Sequence, residues 1–162
     1  MGPSMNALRL AGRRLALCFG EAAAGFEADF GFTWRASPLA AHTLANLEEE
    51  VRICRRSAMP LRVSSEHCEN TIYPGPACNM QFRFVHDMVH VELSADFDVE
   101  GELAVARAHQ RRILSYGFDE HSLEYQMITA DTAGQTLLHD ATGHFPGSQI
   151  EFVTACINGG IA

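Results

Sequence analysis

The sequence predicts a mainly α-helical protein, a compact single-domain helical bundle with a few short extended segments. Apolar residues recur at helical spacing in most parts of the chain, as they do on the buried face of a helix. The chain has 162 residues, of which 47% are hydrophobic and 20% charged, enough for one domain with a core of its own. The extended segments are expected between residues 61 and 77, where proline and glycine interrupt the pattern.

The first half of the chain predicts two helices within a domain that spans residues 1–162. Residues 6 to about 25 carry an apolar stripe that Gly25 is expected to end, and the aromatic stretch 26–35 should be a loop or short strand. Ser37–Pro38 is typical of a helix start, with serine as the N-cap and proline at the first helical position. Leu61–Ser65 should be a short strand. Residues 1–5 are interpreted as a cloning remnant or a disordered start.

The second half predicts four helices, and residues 79–149 carry the motifs. A short polar break, Ser94–Asp98, separates the first two of these helices. Asp98 and Asp119 are suited to cap the second and third, because a carboxylate accepts hydrogen bonds from free amides at a helix start. The four predicted helices are Asn79–Leu93, Val99–Ser115, His121–Ala141 and Gln149–Ile157.

The charge and the cysteine content indicate which partners and which cellular compartment to expect. The formal net charge of −8 argues against sequence-independent nucleic-acid binding, which needs a basic surface. No apolar run approaches the ~20 residues of a membrane span. The five cysteines are odd in number and include no C-x-x-C pair, so free thiols in a reducing cytoplasm are expected. The prediction is a cytoplasmic protein without membrane or nucleic-acid partners, with homo-oligomers and a host-protein partner left open.

Two histidines four residues apart mark the candidate site. His86 and His90 in H-D-M-V-H lie on one face of a helix, so both imidazoles can reach one metal ion. Asp87 stands where the H-E-x-x-H sites of metallopeptidases carry glutamate, and its shorter side chain weakens that analogy. The same spacing also suits a hydrogen-bonded network in the core without a metal.

The next helix offers a carboxylate. The short break is expected to turn this helix back, which brings Glu102 near His90, and Gly101 lacks a Cβ, so the backbones can approach closely there. His86, His90 and Glu102 then form a two-histidine, one-carboxylate set for a divalent metal ion, zinc first, with iron or manganese as alternatives. The remaining candidates are Asp87 and Asp131 as general bases, Asp131 also as a fourth ligand, and His109 and Gln135 as groups that orient ligands or water.

The motifs of residues 79–149 resemble an uncharacterised family of small proteins found in bacteriophages and bacteria. The run N-M-Q-F-R-F-V-H-D-M-V-H is similar to that family's N-x-x-F-R-x-x-H-D-x-x-H pattern, and its G-E, G-Q and F-P-x-Q elements have counterparts further along. The resemblance implies roles for His86, Asp87, His90, Glu102 and Gln135, which stand at motif positions. Asp131 departs from it, because glutamate is expected there. The resemblance implies a site and no particular reaction.

The ligand set predicts a metal-dependent enzyme, a hydrolase in which the ion activates water against a small-molecule or peptide substrate. One alternative is an HD-type phosphohydrolase with His67, His86–Asp87 and Asp131 on the metal, which leaves His90 and Glu102 unexplained. The other is a non-enzymatic protein-binding factor, such as a phage protein that blocks a host protein. Its acidic charge would suit a basic partner, and its histidines would be structural.

Overall fold

A computed structural model describes residues 2–159, and within them a mainly α-helical fold is confirmed. The helices are α1 (Met5–Phe30), α2 (Leu44–Ser57), α3 (Pro76–Leu93), α4 (Val99–Ser115), α5 (Leu123–Thr129), α6 (Gln135–Thr142) and α7 (Gln149–Ile157). Two short strands, β1 (Trp34–Ser37) and β2 (Leu61–Ser64), pair in parallel with Trp34 opposite Leu61. Across the described range, no helix combines the length and apolarity that a membrane crossing needs.

Helix α1 is longer than its sequence predicts. Ser4 is its N-cap and Met5 its first residue, while residue 1 lies outside the described range. The predicted end at Gly25 is wrong, because the helix continues until Gly31, whose φ of 77° lies in the left-handed region that favours glycine. The added turn buries Phe26 in the core, and this burial outweighs the low helix propensity of Gly25.

The predicted helix start at Ser37–Pro38 is also wrong. Ser37 is the last residue of β1, and its backbone carbonyl accepts a hydrogen bond from the Ser65 amide. Helix α2 begins only at Leu44, where the Thr43 side chain is the N-cap. The strand predicted from Leu61 is confirmed as β2. Pairing between distant segments therefore satisfies the backbone of Ser37, and this pairing leaves no local signal in the sequence.

Helices α3 and α4 agree closely with their predicted bounds, and the turn between them is tight. Ser94 ends α3 with a φ of 48°, and the Asp98 carboxylate accepts a hydrogen bond from the Gly101 amide as the predicted N-cap. A Cβ on Gly101 would lie 1.9 Å from the carbonyl oxygen of Asp96. The predicted close backbone approach at Gly101 is therefore real, and the connecting turn makes it.

Helices α5 and α6 are continuous through a π-helical segment, Ala130–Gly134. The prediction of one helix over this region is confirmed, although Ser122 caps it in place of Asp119. Within the irregular region, the Thr132 hydroxyl donates a 2.6 Å hydrogen bond to the carbonyl of Ile128. π-Helical turns are rare in proteins, and those that occur are often found at functional sites. This one buries Asp131 on the inner face of the helix.

One apolar core is shared by α1, α3, α4 and α5. Helix α1 packs along α3, while α4 contacts both α3 and α5. Side chains with no more than 1% exposure fill the centre, among them Leu15, Phe19, Phe84, Met88, Val105, Ile113, Met127 and Ile128. All five cysteines are free thiols, as predicted. The predicted ligands His86, His90 and Glu102 lie beside this core, where α3 contacts α4.

Candidate metal centre

The three residues predicted as metal ligands lie together, close enough to hold one ion. His86 Nε2 is 3.1 Å from His90 Nε2 and 3.2 Å from Glu102 Oε2. His90 Nε2 is 3.4 Å from Glu102 Oε1. Tetrahedral zinc with bonds of about 2.0–2.1 Å holds its ligand atoms roughly 3.3 Å apart. The three contacts are close to that value, but Glu102 makes its two contacts through different oxygens. With one ligand atom taken from each residue, all three atoms lie within 4.8 Å of one another.

The local structure explains this convergence. His86 and His90 are one turn apart on α3, so their rings project from one face of the helix. The tight turn after Ser94 reverses the chain, and Glu102 in the first turn of α4 then faces both rings. The His90 side chain is fully buried, whereas the side chains of His86 and Glu102 are 20% and 28% exposed. One side of the group is therefore open to solvent.

A backbone carbonyl decides which nitrogen of His90 faces the group. His90 Nδ1 lies 2.9 Å from the carbonyl oxygen of Ala95 in the connecting turn. A carbonyl oxygen only accepts hydrogen bonds, so Nδ1 must carry the proton and donate it. The Nε2 of a neutral His90 then presents a lone pair toward Glu102 and His86. This is the arrangement that fixes metal-binding imidazoles in known sites.

Mutual interaction shifts the pKa values of this group. Burial opposes ionisation of the Glu102 carboxyl, but hydrogen bonds with His86 and His90 outweigh it and hold the pKa of Glu102 well below its usual range. Burial lowers the pKa of His90, while the hydrogen bond to Glu102 and the charge of that carboxylate raise it, with a net rise. Glu102 is therefore a carboxylate at neutral pH, and its negative charge favours a cation between the rings.

His109, which the sequence suggests as an orienting group, lies next to His86 on the side away from Glu102. Its Nε2 is 3.2 Å from His86 Nδ1, and the two rings are stacked with centroids 5.3 Å apart. Complete burial, with a further contribution from the charge of His86, holds the pKa of His109 well below its usual value. His109 therefore contacts the group as a neutral imidazole.

Asp87 lies beside the group but outside its cluster of ligand atoms. The side chain follows His86 on α3, about 100° further round the helix. Burial raises the pKa of Asp87 to about 6, although the nearby charges of His86 and His90 lower it in part. A carboxyl with this pKa can exchange a proton near neutral pH.

Asp131 and Gln135 form a separate buried pair. The Gln135 side-chain amide donates a 2.8 Å hydrogen bond to Asp131 Oδ1, and both residues are more than nine-tenths buried. The group of ligand atoms consists of His86, His90 and Glu102, and the structure brings neither Asp131 nor Gln135 into it. Burial raises the pKa of Asp131 to about 7, against the charge of Arg83 and the hydrogen bond from Gln135.

The free energy of unfolding of the Asp131→Asn variant, relative to that of the wild type, is expected to increase as the pH rises from about 5.5 to 8.5. The pKa of Asp131 is higher in the folded state than the ~3.9 of an unfolded chain, so its stabilising contribution is complete below pH ~4 and is lost as the pH rises through about 7. Asparagine keeps the bond from Gln135 and does not ionise. Urea unfolding at both pH values measures the difference, with exposed Asp140→Asn as the control. If the variant and the wild type differ in free energy of unfolding by the same amount at both pH values, Asp131 is not the ionising group.

The residues required by an HD-type site are not assembled in residues 2–159. His67 is exposed on the loop before α3, where its backbone carbonyl accepts a hydrogen bond from Arg83. Neither His67 nor Asp87 joins the cluster around His86. A cavity of about 640 Å³ lies elsewhere, between the start of α1 and residues 68–76, and Arg9 and Arg13 are among its lining residues. Among the described residues, His86, His90 and Glu102 are the group close enough to hold a metal ion.

Sequence reasoning missed the main-chain part of this site. The Ala95 carbonyl that contacts His90 follows Ser94, which adopts a left-handed conformation that serine seldom adopts. No residue type in this turn signals such a contact. Comparisons of the chain with protein-family models, with curated proteins and with solved structures found no match.

Proposed function

We propose that this protein is a metal-dependent enzyme in which His86, His90 and Glu102 bind one divalent ion, with zinc as the first candidate. The observation that carries the proposal is the convergence of His86, His90 and Glu102, each of which offers one ligand atom within 4.8 Å of the other two. The Ala95 carbonyl holds the Nε2 lone pair of His90 inward. Imidazole nitrogen and carboxylate oxygen are the ligands that zinc, iron and manganese take in proteins.

The charge of the group supports a cation. With neutral histidines, only an Nε2–H of His86 can donate into the group, because the Nδ1–H of His90 donates its hydrogen bond to the Ala95 carbonyl. One N–H then faces the lone pairs of His90 and of an ionised, mostly buried carboxylate. A group with this excess of acceptors is stabilised by either a protonated histidine or a metal ion. The ligand types, two imidazole nitrogens and a carboxylate oxygen within 4.8 Å of one another, are the basis for proposing the metal ion.

Three protein ligands leave a fourth position for water or a substrate oxygen, which is typical of catalytic zinc sites. The partial exposure of His86 and Glu102 gives that position access to solvent. An ion held by His86, His90 and Glu102 would supply a Lewis acid that makes bound water more acidic. Asp87, which follows His86 on α3 and has a pKa of about 6, would be the candidate general base. Hydrolysis of a small-molecule or peptide substrate is the reaction that this chemistry supports.

Metal analysis of the purified protein tests the proposal. We expect about one zinc ion per chain in the wild type after zinc is supplied and excess removed, and loss of that ion in His86→Ala. His121→Ala, which removes an exposed histidine, is the matched control and should keep the ion. Far-UV circular dichroism should show the same helix content in all three proteins.

The result that contradicts the proposal is a folded wild-type protein that takes up no zinc, iron or manganese. The His86–His90–Glu102 group would then be a charged hydrogen-bond network of the core. In that case a non-enzymatic protein-binding role becomes the better hypothesis.

A further inference from the structure

A fully buried histidine stands behind the candidate metal centre. His109 Nε2 lies 3.2 Å from His86 Nδ1, while His109 Nδ1 is buried with no hydrogen-bond partner in the described part of the chain. The ring centroids of Phe19, Phe82 and His86 lie 5.3–5.4 Å from that of His109 and enclose it in aromatic surface. The polar contact of His109 is therefore directed at a proposed metal ligand.

The hydrogen bond between these two rings can run in either direction, because a neutral imidazole carries one N–H and one lone pair. In one pattern, His86 keeps its proton on Nε2, directed toward Glu102, and His109 Nε2–H donates to His86 Nδ1. In the other, His86 Nδ1–H donates to His109 Nε2, and His86 Nε2 presents a lone pair. The two patterns are tautomers of the pair: in the second, each ring carries its proton on Nδ1 in place of Nε2, and the number of protons is the same in both.

We propose that His109 is a positioning residue that prepares His86 as a metal ligand by accepting a hydrogen bond from its Nδ1–H. This inference rests on the proposed function, because the second pattern is needed only when an ion binds His86 Nε2. The two ligand histidines are then held in different ways. A carbonyl fixes His90 in one tautomer, whereas an imidazole partner lets His86 adopt either tautomer with its Nδ1 hydrogen bond kept.

Two substitutions at the same buried position separate this role from packing. Phenylalanine in His109→Phe keeps an aromatic ring but removes the acceptor for His86 Nδ1–H. Glutamine in His109→Gln supplies an amide that can accept or donate. We expect His109→Phe to weaken zinc affinity by about 10- to 100-fold and His109→Gln to recover most of that loss. His139→Phe, at an exposed histidine, is the control and should leave the affinity unchanged.

Zinc affinity is measured by competition with a chromogenic chelator, and thermal unfolding checks that each variant is folded. If the wild type and His109→Phe bind zinc equally tightly, this inference is overturned and the proposed metal site stands. If the wild type binds no zinc, iron or manganese, both proposals are overturned. The two failures are therefore distinguishable.

Histidine NMR on the wild type decides the question even if His109→Phe does not fold. Long-range proton–nitrogen spectra at about pH 8, where free imidazoles are neutral, report which ring nitrogen carries the proton. We expect zinc to place the protons of His86 and His109 on Nδ1. A zinc-loaded protein in which His109 carries its proton on Nε2 would overturn the inference, since His109 could not then accept from His86.

Discussion

The Glu102→Gln substitution is expected to weaken zinc binding by about 10-fold or more, with unchanged helix content. The amide nearly preserves the shape of the side chain but removes the negative charge that faces His86 Nε2 and His90 Nε2 at 3.2 and 3.4 Å. The nearby Glu100→Gln, in the same first turn of α4 and exposed, is the matched control and should bind zinc as the wild type does. Equal zinc affinity in Glu102→Gln and wild type would remove Glu102 from the ligand set.

The same substitution is expected to destabilise the metal-free protein more near pH 5.5 than near pH 8. The folded pKa of Glu102 is lowered, so its stabilising contribution is present above the unfolded value of ~4.3 and is lost as the pH falls through the folded value. The folded pKa of His90 is raised, so its contribution is present below ~6.5 and is lost as the pH rises through the folded value. Both contributions coexist between about pH 4.5 and 6.5. Urea unfolding with a chelator present measures the effect.

The Gly101→Ala substitution is expected to destabilise the protein by about 1–3 kcal/mol or more, because the added methyl meets rigid backbone. A Cβ there would lie 1.9 Å from the carbonyl oxygen and 2.8 Å from the carbonyl carbon of Asp96. The connecting turn would have to move, and with it the neighbouring Glu102. For a chain of this size, the melting temperature should fall by roughly 2–4 °C per kcal/mol. Zinc affinity should fall as well.

Gly25→Ala is the matched control for this prediction. Gly25 also lies within a helix, but a Cβ there would meet nothing within 4 Å. Alanine is favoured over glycine in helix interiors by roughly 0.5–1 kcal/mol, so this variant should be slightly more stable than the wild type. Thermal unfolding of both variants measures these opposite changes in melting temperature, a decrease for Gly101→Ala and a small increase for Gly25→Ala. A Gly101→Ala protein as stable as Gly25→Ala would mean that the turn does not pack on α4.

Local patterns in the sequence were sufficient for the elements that carry the site. Apolar spacing predicts α3 and α4 within a few residues, and the carboxylate of Asp98 predicts the start of α4. The same periodicity places His86 and His90 on one face. A helix is built from contacts between residues three and four apart, so these features can be read from short windows of sequence. The short break after α3 further predicts that Glu102 returns to the two histidines.

Tertiary structure alone decided the remaining features. Ser37 lies in a strand because β2 pairs with β1. The contact of His109 with His86 joins residues 23 positions apart. Such contacts depend on how whole helices cross and on which backbone groups other segments satisfy. The sequence therefore determined α3, α4 and the ligand types, whereas the connecting turn and the packing of α4 on α3 determined the hydrogen-bond partners of His90 and His86.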